Sequence, residues 1–166
     1  MDDDQGLEWV SFIGKELDRE YDRRDVLNAR SSTAITSATA VVTVSLAVMA
    51  VAKGEHFTVH GIGPVLLLVA FLVLLLLAAV LSILAGASGG RFTVAAPQDM
   101  RRMLGNELWG TDTVDARNHT AELNIRAIQT LRHGNSIKYR FLVLALSVQA
   151  VGVFVLGTFA VWVMAI

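Results

Sequence analysis

Charged positions vanish from three long stretches of this chain: Ser31 to Ala52, Ile62 to Gly90, and Phe141 to Ile166. A helix rises 1.5 Å per residue, so about 20 apolar residues cross ~30 Å of hydrocarbon. All three stretches reach that length. The second contains VLLLVAFLVLLLLAAVLSIL, which is apolar on every face. A soluble helix of that length keeps one face wet. Outside the apolar stretches the period is that of half-wet helices. Val10, Ile13, Leu17, Tyr21 and Leu27 recur on one face of the first segment, and Val114, Ala121, Ile125, Ile128 and Leu131 on one face of a later one. The pattern predicts an all-α integral membrane protein with three transmembrane helices, at 31–52, 62–86 and 141–166. Long cytoplasmic helical extensions are expected over 7–30 and within 91–140.

Breakers refine the boundaries. No Gly or Pro separates Lys15 from Ala52, so the first extension is expected to run unbroken into the first span. Glu16 with Arg19, and Glu20 with Arg23 and Arg24, form i,i+3 or i,i+4 pairs that support it. Gly61-Ile62-Gly63-Pro64 predicts a turn, with Pro64 in the first turn of span two, and Gly86 to Gly90 ends that span. Pro97 starts a short helix expected to reach about Leu108, and Gly110-Thr111-Asp112 breaks it. Thr113 is the expected cap of a last helix that continues through Lys138 and Arg140 into span three, with Gly134 its weak point.

Composition agrees: 54% of the 166 residues are hydrophobic and 17% charged, where soluble domains carry roughly 25% charged residues. One domain is expected. The absence of cysteine excludes disulfides, Cys-ligated metals and thiol nucleophiles. Charge distribution orients the chain. Five Lys and Arg precede the first span, one lies between the first two, and eight lie between Arg91 and Arg140. Cytoplasmic flanks are the ones enriched in these residues. The N-terminus and the 91–140 segment are therefore expected in the cytoplasm and the C-terminus outside. The acidic opening Met1-Asp2-Asp3-Asp4 is unlike a signal peptide. The first thirty residues are net acidic and the 91–140 segment net basic, so the two extensions attract each other within or between subunits. Glu16, Glu20, Arg23, Arg24, Arg117, Arg126, Lys138 and Arg140 are the candidate cytoplasmic interface.

Ser32, Thr36, Thr39 and Thr43 are spaced 4, 3 and 4, which places four hydroxyls on one face of the first span. Such a stripe either lines a wet pore in an assembly, or packs helices closely with each hydroxyl satisfied on a carbonyl one turn back. Gln149, the strongly polar side chain of span three, is expected to face another helix rather than lipid. Gly152 and Gly157 miss the GxxxG spacing, while Gly86 and Gly90 have it at a span end. His56 and His60 make an incomplete metal site in a short loop, and His133 reads as a loop or interfacial residue. No catalytic set, cofactor site or metal site is expected, and the spans hold no ionisable relay. Basic residues from Arg101 to Arg132 could attract anionic lipid or a nucleotide, but cytoplasmic positive-inside charge is the expected account of them.

The segments DVLNARSSTAITSATAVVTVSLAV and LRHGNSIKYRFLVLALSVQAVGVF, with Lys138-Tyr139-Arg140 before the last span, resemble the membrane-effector domains of bacterial Pycsar and related SLATT-type antiphage systems. Small actinobacterial membrane proteins of plasmid transfer look similar too. The first resemblance implies a non-enzymatic inner-membrane effector that self-associates and permeabilises the membrane on infection. A separate sensor or nucleotide cyclase would be its partner, with lipids around it and no nucleic acid bound. The second implies a structural or accessory protein of conjugal transfer. A constitutive small channel is a further alternative.

Overall fold

The computed structural model describes residues 3–53, 61–87, 96–105, 110 and 112–165. These are almost entirely helical, in four elements: α1 (Asp3–Lys53), α2 (Ile62–Ala87), α3 (Pro97–Met103) and α4 (Thr113–Ala165). Two of them, α2 and α4, are long and apolar enough to cross a membrane. Only 17% of the most apolar window of α2, and 22% of that of α4, is buried. A core helix of a soluble protein would be mostly buried, so these apolar surfaces suit lipid. The stretch of α1 expected to be a span is less apolar, because eight of residues 31–47 are Ser or Thr.

As expected, α1 is unbroken, and it begins before Leu7. Gly61 adopts φ +95°, a left-handed conformation that costs an L side chain about 1–2 kcal/mol, and Pro64 sits buried in the first turn of α2. The α3 helix stops at Met103 rather than near Leu108. The N–H groups of Leu104 and Gly105 donate to the carbonyls of Arg101 and Arg102, three residues back, which tightens the chain into a turn. The last helix includes Thr113 as its first residue. Asp112 stands at the cap, its carbonyl accepting the Ala116 N–H at 3.1 Å. Gly134 does not interrupt α4, and His133 is an exposed residue inside it rather than in a loop.

Contacts divide the chain into two compact units. Unit 1 holds Met1–Val26 and Ser88–Ile137, and its buried residues among those described are Glu20, Ala127, Ile128, Leu131, Gly134 and Asn135. Unit 2 holds Leu27–Ala87 and Lys138–Ile166. One of its clusters joins Phe71 to Leu156, Phe159 and Val163, with Val41 and Val42 against it. A second joins Leu27, Ala34, Ala85 and Leu142.

The packed residues follow a heptad rule. On α4, Leu131, Asn135, Lys138, Leu142, Ala145, Gln149, Gly152, Leu156, Phe159 and Val163 alternate in steps of four and three, and all are buried or half-buried. On α2, Pro64, Leu68, Phe71, Leu75, Ala78, Ser82 and Ala85 do the same. On α1 the series is Ile13, Leu17, Glu20, Arg24, Leu27, Ser31, Ala34, Ala38 and Val41. A 3.5-residue repeat is the geometry of knobs-into-holes packing at small crossing angles. Small residues on the seam let backbones approach closely. A Cβ on Gly152 would stand 3.6 Å from the Leu74 Cβ.

Candidate functional site

Polar residues on these seams are where chemistry concentrates. In unit 1, Arg132 of α4 donates from Nε to Glu20 Oε1 at 2.9 Å and from Nη2 to Glu16 Oε2 at 2.9 Å. Asn135 Nδ2 donates to Glu20 Oε2 and to the Glu20 carbonyl, each at 3.0 Å. Glu20 is 7% exposed and Asn135 fully buried, so the carboxylate needs these donors to offset its lost hydration. Glu16 also pairs with Arg19 along α1. The expected attraction between the acidic and basic extensions is thus realised within one chain, as a clasp of two carboxylates, a guanidinium and an amide.

Arg23 and Arg140 are exposed, and Arg24 is half-buried and engaged. Both Glu20 carboxylate oxygens accept from α4. Arg126 pairs with Glu122 on the surface of α4, and Arg117 lies against Gly6, its Nη1 3.5 Å from where a Cβ there would stand.

In unit 2 the central polar group is Lys138, only 2% exposed. Its Nζ donates to Asn28 Oδ1 at 2.6 Å and to the Gly86 carbonyl at 3.0 Å. One ammonium therefore ties together α1, α4 and the last turn of α2. A helix C-terminus has unsatisfied carbonyls and a partial negative charge, which is why a cation belongs there. Further along the α4 seam, Gln149 Nε2 donates to Ser37 Oγ at 3.2 Å, and Ser37 donates to the Ala34 carbonyl at 3.0 Å. Gln149 faces another helix, as its amide requires. Ser31, buried on the α1 seam, donates to the Leu27 carbonyl at 2.9 Å.

The four-hydroxyl stripe lies elsewhere. Ser32, Thr36, Thr39 and Thr43 are all exposed, one residue on from the buried Ser31 and Ala38 and the half-buried Ile35 and Val42. About 100° of helix separates the two faces. Thr36, Thr39 and Thr43 donate to the carbonyls of Ser32, Ile35 and Thr39, at 3.0–3.2 Å. Thus α1 carries two parallel 4-3 seams, one filled within the chain and one open. His56, His60 and Gly90 lie outside the described residues. The sequence reading missed the clasp between Glu20 and Asn135 and the burial of Lys138. A polar residue at heptad spacing from Leu131 and Leu142 was the signal available.

Comparison with protein-family models, curated protein sequences and solved structures returns no match, so the chain's own geometry carries the functional reading.

Proposed function

We propose that this chain is a three-span membrane protein that assembles with further copies of itself through the open hydroxyl face of α1 and permeabilises the membrane. The cytoplasmic ends would carry α3 and the Glu16–Glu20–Arg132–Asn135 clasp, with the C-terminus outside. The observation that carries this reading is the second seam. Ser32, Thr36, Thr39 and Thr43 repeat the spacing of the filled seam beside them and remain exposed in one chain. In lipid, small and hydroxyl-bearing faces associate. On the resemblance stated above, such an assembly would act in antiphage defence, with a separate sensor as trigger and no catalysis of its own.

A scaffold reading has one observation in its favour: Thr36, Thr39 and Thr43 already satisfy their hydroxyls on their own helix and need no water. The Thr36→Val, Thr39→Val double variant separates the two. Valine keeps the shape and removes the hydroxyl, so assembly should survive while a wet conduit dewets. Dye release from vesicles at matched membrane abundance is expected to fall at least tenfold. Undiminished release would leave this face as a packing surface only. A reporter active only outside the membrane, fused after Ile166, should work, and fused at the N-terminus should fail.

A further inference from the structure

The short helix α3 has no part in the clasp or in the open seam, yet it presents an amphipathic surface. Met100 is 51% exposed and Leu104 72% exposed, and Pro97 is exposed beside them. At about 100° per residue, Pro97, Met100 and Leu104 fall within about 60° of one another, with Arg101 flanking them. Asp99 points away from that face and is occupied at the helix start, where its Oδ2 accepts the Ala96 N–H at 3.1 Å. The charge bordering the apolar edge is therefore that of Arg101, which is exposed, as is Arg102 further round.

Chain connectivity limits where this surface can be. Residues 88–96 separate the end of α2 from Pro97, and an extended chain gains at most about 3.5 Å per residue, so the tether reaches no more than roughly 35 Å. If α2 crosses the bilayer, α3 is held near the leaflet where α2 emerges, at high local concentration. Methionine and leucine insert readily among acyl chains, and arginine holds phosphate through several donors.

We propose that α3 is an interfacial anchor for an anionic leaflet, inserting Met100 and Leu104 at the acyl boundary and setting Arg101 on lipid phosphates. This rests on α2 being a span, and not on assembly or permeabilisation. Each basic residue close to an anionic surface is worth about a fivefold factor in affinity. An Arg101→Glu change should therefore cost more than fivefold. Arg102→Glu should cost less, because Arg102 faces away from the membrane in this arrangement.

The chain contains no cysteine, so one introduced thiol can be labelled uniquely. The test uses full-length protein in nanodiscs of phosphatidylcholine alone or with phosphatidylglycerol, carrying an environment-sensitive fluorophore on Met100→Cys, Leu104→Cys, Gln98→Cys or Ala79→Cys. Lipids brominated on the acyl chain act as quenchers. Labels at positions 100 and 104 should be quenched in anionic discs and released by Arg101→Glu or high salt, while the label at 98 stays unquenched. The label at 79 should be quenched in both lipids. Quenching at 100 and 104 that is equal in both lipids, equal to that at 98, or absent would overturn the anchor. An unquenched label at 79 would overturn both the anchor and the span it depends on, whereas loss of dye release leaves the anchor standing.

Discussion

Replacing Lys138 by Met keeps the length and apolar body of the side chain and removes its ammonium. The Asn28 amide oxygen and the Gly86 carbonyl then lose a donor each, at sites where Lys138 was 2% exposed. A buried acceptor left unsatisfied costs about 1–3 kcal/mol. Relief from burying an ammonium offsets part of that. The net expectation is a loss of about 2 kcal/mol. Asn28→Leu should be worse, about 3 kcal/mol, because it leaves a buried cation short of a charge-assisted bond. The double variant removes the Asn28–Lys138 pair whole and should lose about 2 kcal/mol, less than Asn28→Leu alone, with a coupling energy of about 3 kcal/mol. Unfolding of the full chain in mixed micelles, titrated with SDS and followed by circular dichroism, reads all four corners of the cycle. Additive losses, with coupling under about 0.5 kcal/mol, would refute Lys138 as the tie between α1 and α4.

Two further outcomes follow from the seams. Arg132→Glu sets a third carboxylate against Glu16 and Glu20 and should cost about 2 kcal/mol; hydrogen exchange over residues 13–24 should quicken, and Glu16→Arg should partly reverse this. Unchanged exchange would mean the clasp does not hold α1. Gly152→Ala places its methyl at ordinary contact distance from Leu74 and should be tolerated or gain up to ~1 kcal/mol of helix propensity, whereas Gly152→Leu wedges α2 from α4 and should cost about 1–3 kcal/mol. Both read as shifts in the same SDS titration, and equal effects would argue against close packing there.

How much of this was legible depends on what marks each position. Helices were readable because apolar runs without breakers have one outcome in lipid, and in α1 the lack of Gly or Pro between Lys15 and Ala52 is matched by an unbroken helix. The seams were not, because apolar periodicity sees large residues. The α1 seam is built from Ser31, Ala34 and Ala38, while its neighbouring large residues Val44 and Leu46 are exposed. On the proposed three-span reading, small size rather than apolarity marks the interior of α1. Lys138 was hidden for a different reason. A lysine beside Tyr139 and Arg140 at a span end reads as surface charge, and only the C-terminus of α2, brought against it by packing, shows why it is buried. The Glu20–Arg132 contact joins residues 112 positions apart, so charge balance suggested attraction but not the partners.

The heptad seam of α2 also acts as a ratchet that cannot turn. Phe71, Ala78 and Ala85 occupy equivalent places at seven-residue intervals, all 3% exposed or less. A slide by one heptad, about 10.5 Å, would satisfy the spacing but thrust the Phe71 ring into the place that now closes around the Ala78 methyl. Overpacking on that scale meets a close-packed wall. A slide of α2 by one heptad in that direction is thereby barred inside unit 2.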